Sequence, residues 1–252
     1  MRQREEDMID QLKALVKALR PVQTEFELIR IGGANDGGYL IPNDLKGITS
    51  CFSPGVADTA SFEIDLCKRG IGSHLADGSI DDAPKGFTPL SFTKKHLDGY
   101  DDEDNMTLST WLDRKAGDTY WRKEDLILQM DIEGGEYATI IATSQEVLKQ
   151  FRIICVEIHD VDAWFNPIAW NTVQTFFAKL TQDFHVVHNH PNNNCGTVDA
   201  NGFILPKVFE LTLLRKDRSE ALGFVEILPH PLDAPNVTDK PTLELTKEWY
   251  GA

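Results

Sequence analysis

Apolar residues recur at helical spacing over residues 4–19, where Met8, Leu12, Leu15, Val16 and Leu19 share a face and Pro21 ends the pattern. The period then shortens. "FELIRIGGANDGGYLIP" predicts two short strands around a Gly-Asn-Asp-Gly turn, and "GITSCFS" a compact strand stopped by Pro54-Gly55. "DTASFEIDLCKRG" is amphipathic, with Phe62 and Leu66 inside and Gly70 at its end. "IGSHLADGS" predicts a second strand ending at Asp77, "FTPLSF" a third, and "DDEDN" a solvated turn. "LILQM" is a buried strand that runs into "DIEGGEY", after which "EYATIIATSQEVLKQF" predicts one helix. "RIICVEIHD" is the fifth strand. Val173, Phe176, Phe177 and Leu180 form the stripe of the next helix, and "FHVVHNH" and "VFELTLLRK" are the last strands. Strands alternating with helices predict an α/β fold with a mostly parallel sheet covered on both faces.

Composition narrows the function classes. A chain of 252 residues, 41% hydrophobic, is long enough for one sizeable core, so one domain is expected. With 25 basic against 40 acidic residues the net charge is −15, which repels phosphate backbones and argues against nucleic acid or an anionic membrane as partner. No apolar run is long enough to span a bilayer, and the first residues lack a signal-peptide core. Cys51 and Cys155 fall inside apolar runs and none of the four cysteines is in C-x-x-C spacing, so buried free thiols and a cytoplasmic location are expected.

In such a sheet ligands bind beyond the carboxyl ends of the strands. Polar residues stand at that position after strand upon strand: Gly55 after the first, Asp77 after the second, Asp131 after the fourth, Glu157 and His159 after the fifth, His188 and His190 after the sixth. The plain alternative is that they cap nearby helices. "SPGVAD" has one glycine where a full dinucleotide fingerprint has three, but Asp77 lies roughly 20 residues beyond Gly55, where an acid accepts from both ribose hydroxyls. An adenosine-bearing cofactor or a nicotinamide dinucleotide without a 2′-phosphate is implied.

Taken together, "RIGGANDGGYLIP", "SPGVADTASFE", "MDIEGGEY", "VEIH" and "HNHPNN" resemble the FkbM-type S-adenosylmethionine-dependent methyltransferases, from about Arg30 to Arg215. The "LPHPLDAPN" tail is similar to members of this group as well. The resemblance implies a class I methyltransferase fold, a Rossmann-like three-layer sandwich on a seven-stranded sheet whose last strand is antiparallel. It implies one methyltransferase domain over 1–252, with an N-terminal helix (1–21), a catalytic core (22–216) and a C-terminal extension (217–252). It also implies O-methylation of a small molecule or sugar, nucleotide-sugars included. Carried over by position, Gly55, Asp77 and Gly78 lie against the cofactor, and Asp131 faces its methionine end and the acceptor. Ser53 departs from the wider class pattern, which has an acid there to hold the methionine amino group. Asp36, with Gly37 in the Asn-Asp-Gly-Gly turn, is one substitute; the alternative is that Asp36 only makes the turn. Phe62 and Glu63 match the family's F-E pair.

Methyl transfer to a hydroxyl needs the acceptor aligned and its proton removed. Asp131, His159, His188 and His190 are the candidate catalytic residues. Asp131, Glu157 and His188 are a candidate divalent-metal set, with oxygen ligands favouring Mg²⁺ and an added imidazole Mn²⁺. Gly134-Gly135 makes a sharp strand exit, and Glu136 suits the first turn of a helix. Two other functions compete: an NAD-dependent oxidoreductase, which explains Asp77 but not the single-glycine loop, and a catalytically silent methyltransferase-like binding protein. The N-terminal helix and the tail are expected to wall the acceptor pocket or to form a homodimer contact.

Overall fold

The structure, a computed structural model, describes residues 2–120 and 125–251. Helix α1 (Arg2–Ala18) is followed by the antiparallel hairpin of β1 (Leu28–Ile31) and β2 (Tyr39–Pro42). Next come β3 (Ile48–Pro54), α2 (Ser61–Lys68), β4 (Gly72–Ala76) and β5 (Ser91–Thr93). The short pair β6 (His96–Leu97) and β7 (Asn105–Met106) leads to α3 (Leu108–Tyr120) and β8 (Asp125–Met130). Then follow α4 (Glu136–Ala142), α5 (Gln145–Leu148), β9 (Phe151–Ile158), α6 (Pro167–Asp183) and β10 (Phe184–Pro191). A hairpin of β11 (Thr197–Ala200) and β12 (Phe203–Pro206) precedes β13 (Phe209–Arg215).

Seven strands form the central sheet in the order β10-β13-β9-β8-β3-β4-β5. All pairings are parallel except those of β13, which runs antiparallel to both β9 and β10. This is the class I methyltransferase arrangement expected from the sequence. β9 is buried along its whole length, as a strand covered on both faces must be, with Arg152 and Glu157 near its two ends as its charged residues.

The two faces are covered unequally. Phe52, Leu128, Ile154 and Leu211 pack beneath α3, α4 and α6, and α1 adds Leu12, Val16 and Leu19 to the same cluster. The other face, with Cys51, Ile127, Ile153, Cys155 and Leu214, is closed by Phe62 and Leu66 of α2 and by the β1–β2 hairpin. All four cysteines are free, Cys51 and Cys155 among the buried residues. No helix among the described residues is long and apolar enough to cross a membrane.

Three local features differ from the expectation. The single helix predicted from Glu136 onward breaks at Thr143, which is extended with its hydroxyl bonded back to Thr139 O, and Ser144 caps a new turn by accepting from Val147 N. Helix α3 has no counterpart in the sequence reading, because its buried stripe is only Leu108, Trp111 and Leu112. The β11–β12 hairpin is likewise new.

The tail beyond β13 doubles back. Val225 N donates to Pro21 O, Leu222 N to Gln23 O and Gln23 N to Gly223 O, so it pairs with the segment after α1. It then crosses the carboxyl ends of the outer strands, where its residues meet the site.

Candidate active site

A cavity of about 440 Å³ opens at the carboxyl ends of β3, β4 and β8. Gly55, Asp77 and Asp131 line it, together with Asn35, Asp36 and Gly37 from the β1–β2 turn. At one end the Asp77 carboxylate takes hydrogen bonds from Ala57 N (2.9 Å) and from the backbone (2.7 Å) and hydroxyl (2.6 Å) of Ser79. It thereby ties the loop after β3 to the loop after β4. His96, which sequence reasoning missed, forms the wall beside it. Gly78 lies beneath that imidazole, where a Cβ would come within 2.3 Å of the ring. Gly78 itself does not line the cavity.

At the other end Ser53 is fully buried and does not reach the cavity either. Its Oγ is bonded to the Glu63 carboxyl and to Gln129, both of which do line it. Gln129 in turn contacts the Tyr39 hydroxyl at 3.2 Å. Burial, opposed by the Ser53 bond, raises the Glu63 pKa. Asp36 is exposed at the rim, and its turn is pinned by Asn236: Asp36 N donates to Asn236 O (3.1 Å) and Asn236 Nδ2 to Asp36 Oδ1 (3.2 Å).

Behind Asp131 lies a group of acids around one histidine. His159 Nδ1 is 2.9 Å from Glu136 Oε1, and its Nε2 is 3.3 Å from Glu157, 3.5 Å from Glu133 and 3.8 Å from Asp131. Burial pulls the imidazole's pKa down, but Glu136 and Glu157 reverse this and lift it to about 11. Asp131 is pushed well above the carboxylate range by burial and by its neighbour Glu157. Burial also opposes ionisation of Glu157, yet the bonds from His159 and from Asn192 (2.7 Å) hold its pKa below the usual value. Glu136 also accepts from Ile132 N (3.0 Å) and Gly134 N (2.9 Å), closing the Gly-Gly turn. It is therefore both a helix-start residue, as expected, and the anchor of His159.

Sheet register extends the acidic row outward. Glu157 pairs with Glu210 of β13, and Glu210 with His190 of β10. Asn236 donates to Glu210 (2.7 Å), and burial lifts the Glu210 pKa to about 7. The residues Asp36, Glu157 and Glu210 bring ligand atoms within 4.8 Å of one another, as do Asp131, Glu133 and His159.

His188 stands elsewhere than expected. It shares β10 with His190, and β13 separates it from β9. The two rings stack 6.4 Å apart, and Asp233 of the tail lies 3.1 Å from His188 Nε2 and 3.5 Å from His190 Nδ1. The metal set of Asp131, Glu157 and His188 is thus not assembled, because a whole strand lies between. His190 lines a second cavity, of about 170 Å³, with Leu228, Pro229, Asp233 and Leu243. Glu210 carried a sequence signal, an acid inside a buried strand. Asp233 and Asn236 belong to the "LPHPLDAPN" segment singled out above, but their contacts depend on the path of the tail.

A solved structure titled "Crystal structure of N-methyltransferase NodS from Bradyrhizobium japonicum WM9" shows 10% identity and a TM-score of 0.36, over 85% of this chain and 95% of that one. No curated protein matches the chain. The family model described as methyltransferase FkbM domain matches residues 44–199, the span that carries Gly55, Asp77, Asp131, Glu157 and His159. The chain belongs to the FkbM methyltransferase domain family.

Proposed function

We propose that this protein transfers a methyl group from S-adenosylmethionine to a hydroxyl of a small molecule or sugar, nucleotide-sugars included. The observation that carries the reading is the single cavity shared by Asp77 and Asp131 in a chain of this family. Its polarity fits the cofactor. Asp77 and Ser79 suit the ribose at one end. At the other end, Gly37 and Gly55 let the backbone approach closely, and carboxyl groups of Asp36, Glu63 and Asp131 face a ligand that carries positive charge. Helix α2 begins at Ser61 after Ala60, whose side chain cannot cap it, and Glu63 N is taken by its own carboxyl, so the other first-turn N–H groups suit the methionine carboxylate. The bound cofactor supplies a methyl group activated by a sulfonium.

The chain's own residues supply alignment and a proton acceptor. Asp131 lies where cavity and acidic row meet. A carboxyl with a raised pKa is a stronger base, once ionised, than an ordinary aspartate, and positive charge next to it favours the ionised form. The proton that the acceptor hydroxyl must give up would pass to Asp131. Glu157 shares the charge, and His159 holds both carboxyls in place. His159 is not the base in this scheme, since an imidazole with a pKa of about 11 already carries its second proton near neutrality. His188 and His190, bound to Asp233, fix the tail that walls the acceptor side.

A divalent ion, Mn²⁺ or Mg²⁺, at Asp131 and Glu157 is the second reading. The contacts that Glu157 already makes, with Asn192 at 2.7 Å and with His159 Nε2 at 3.3 Å, weigh against it. The function is tested by thermal stabilisation with S-adenosylhomocysteine against NAD, followed by methyl transfer to a panel of hydroxyl acceptors. Stabilisation by NAD alone would overturn it in favour of an oxidoreductase, and cofactor binding without transfer in favour of a binding protein.

A further inference from the structure

We infer that Glu63, reaching the cavity from helix α2, is the carboxylate that receives the α-amino group of the methionine moiety, in place of an acid on β3. The inference rests on the cofactor reading above.

Besides Asp77, five carboxyl groups line the cavity. Asp58 and Glu133 are exposed to solvent. Asp36 is exposed at the rim and engaged by Asn236. Asp131 is engaged with Glu157 and turned to the acidic row. Glu63 is only 3% exposed and lines the cavity. No basic side chain is paired with it: its carboxyl takes hydrogen bonds from the Ser53 hydroxyl and from its own backbone N–H, and neither supplies a positive charge. A buried acid without a cation is a costly element in a folded protein, and such groups are ordinarily paired. An unpaired one that opens onto a cavity is complementary to a cationic ligand group.

The surroundings orient it. Tyr39, Gln129 and Ser53 form a chain that ends on Glu63 Oε1. With its amide turned to donate to Ser53 and accept from Tyr39, Gln129 leaves the Ser53 hydrogen for Glu63. The carboxyl is thus held in place at the cavity wall. Ser53 occupies the β3 position and supports the acid that α2 delivers. The low-dielectric setting makes an ammonium contact stronger here than at the exposed Asp36.

The test is calorimetry of the wild type and Glu63→Gln with three ligands: S-adenosylhomocysteine, its analogue with the amino group replaced by hydrogen, and 5′-methylthioadenosine. The wild type should prefer the amine over the deaminated analogue by about 10- to 100-fold, and Glu63→Gln should lose that preference while binding the analogue and methylthioadenosine as the wild type does. A preference that survives in Glu63→Gln, or is absent from the wild type, overturns the assignment even when the nucleoside binds. If none of the three binds the wild type, the cofactor reading has failed and the assignment falls with it. Should Glu63→Gln not fold, the wild-type comparison of amine with deaminated analogue still decides, together with Ser53→Ala, which removes the support and should reduce the preference.

Discussion

Gly55 touches Asp131 backbone to backbone: a Cβ at Gly55 would stand 1.6 Å from the Asp131 carbonyl oxygen, and the residue's φ of +81° is one that glycine alone adopts freely. The first strand–helix turn and the end of the fourth strand of the fold are therefore one surface. Gly55→Ala should destabilise the protein by about 1–3 kcal/mol and separate the two ends of the cofactor cavity. Thermal unfolding and titration with S-adenosylhomocysteine check this. Wild-type stability and affinity would show that the contact can relax.

His159 makes stability depend on pH in a definite direction. Its folded pKa, about 11, exceeds the unfolded value of about 6.5, so its contribution is complete below pH 6.5 and is lost as the pH rises through the folded value. His159→Asn should cost roughly 2 kcal/mol at pH 6, the low side for breaking a buried pair because the cavity admits solvent. The gap between wild type and variant should narrow steadily toward pH 11. Denaturant titrations at pH 6, 8 and 10 read it, and a gap that widens with pH would refute the imidazolium assignment.

Asp77→Ala should weaken cofactor binding by about 1–3 kcal/mol, the cost of removing one side of a buried hydrogen-bonded site. It also frees Ala57 N and Ser79, so a loss of thermal stability should accompany it. Asp77→Asn, which keeps one acceptor oxygen, should lose less of each. Unchanged affinity in the alanine variant would remove Asp77 from the ribose site.

Much of this arrangement was legible in the chain. The alternation of apolar runs with polar strand ends placed Gly55, Asp77 and Asp131 on one edge of one sheet, because strand direction and parallel pairing leave few other outcomes. Glu63 was legible only as part of the family's F-E pair, without a role. At β3 the acid looks missing, and the packing of α2 is what brings Glu63 to the cavity wall beside Ser53. His188 was expected on a strand two places out, with its chain returning over the site; instead it stays on β10, where Asp233 of the tail holds it. Glu136 was read as a helix-start residue, but its second role needs a partner 23 positions later.

Asp233 should anchor the tail. Burial would raise its pKa, but the contacts with His188 and His190 hold it well below the usual range. Its contribution is present above the unfolded value of about 3.9 and is lost as the pH falls further. Asp233→Asn should cost about 3 kcal/mol and expose residues 217–240 to protease while the sheet stays folded. A digestion pattern like that of the wild type would show that the tail is held by other contacts.

Exhaustive chelation separates the two readings of the acidic row. The enzyme stripped of divalent ions should keep full methyl transfer once an acceptor is in hand. Loss of activity, recovered with Mn²⁺ or Mg²⁺, would move Asp131 and Glu157 from proton handling to metal ligation.

The doubling back of the tail has a consequence for inheritance of specificity. Asp36, Asp233 and Asn236 lie outside residues 44–199, the part that this chain shares with its family. In the proposed function, methyl-donor handling sits mostly inside that shared part, with Asp36 and Gly37 of the β1–β2 turn outside it, and the acceptor wall would come from the tail folded over it. Two relatives can thus keep the same transfer machinery and yet have unrelated substrates. Exchanging the flanks between them should change which molecule is methylated before it changes how the methyl group is held.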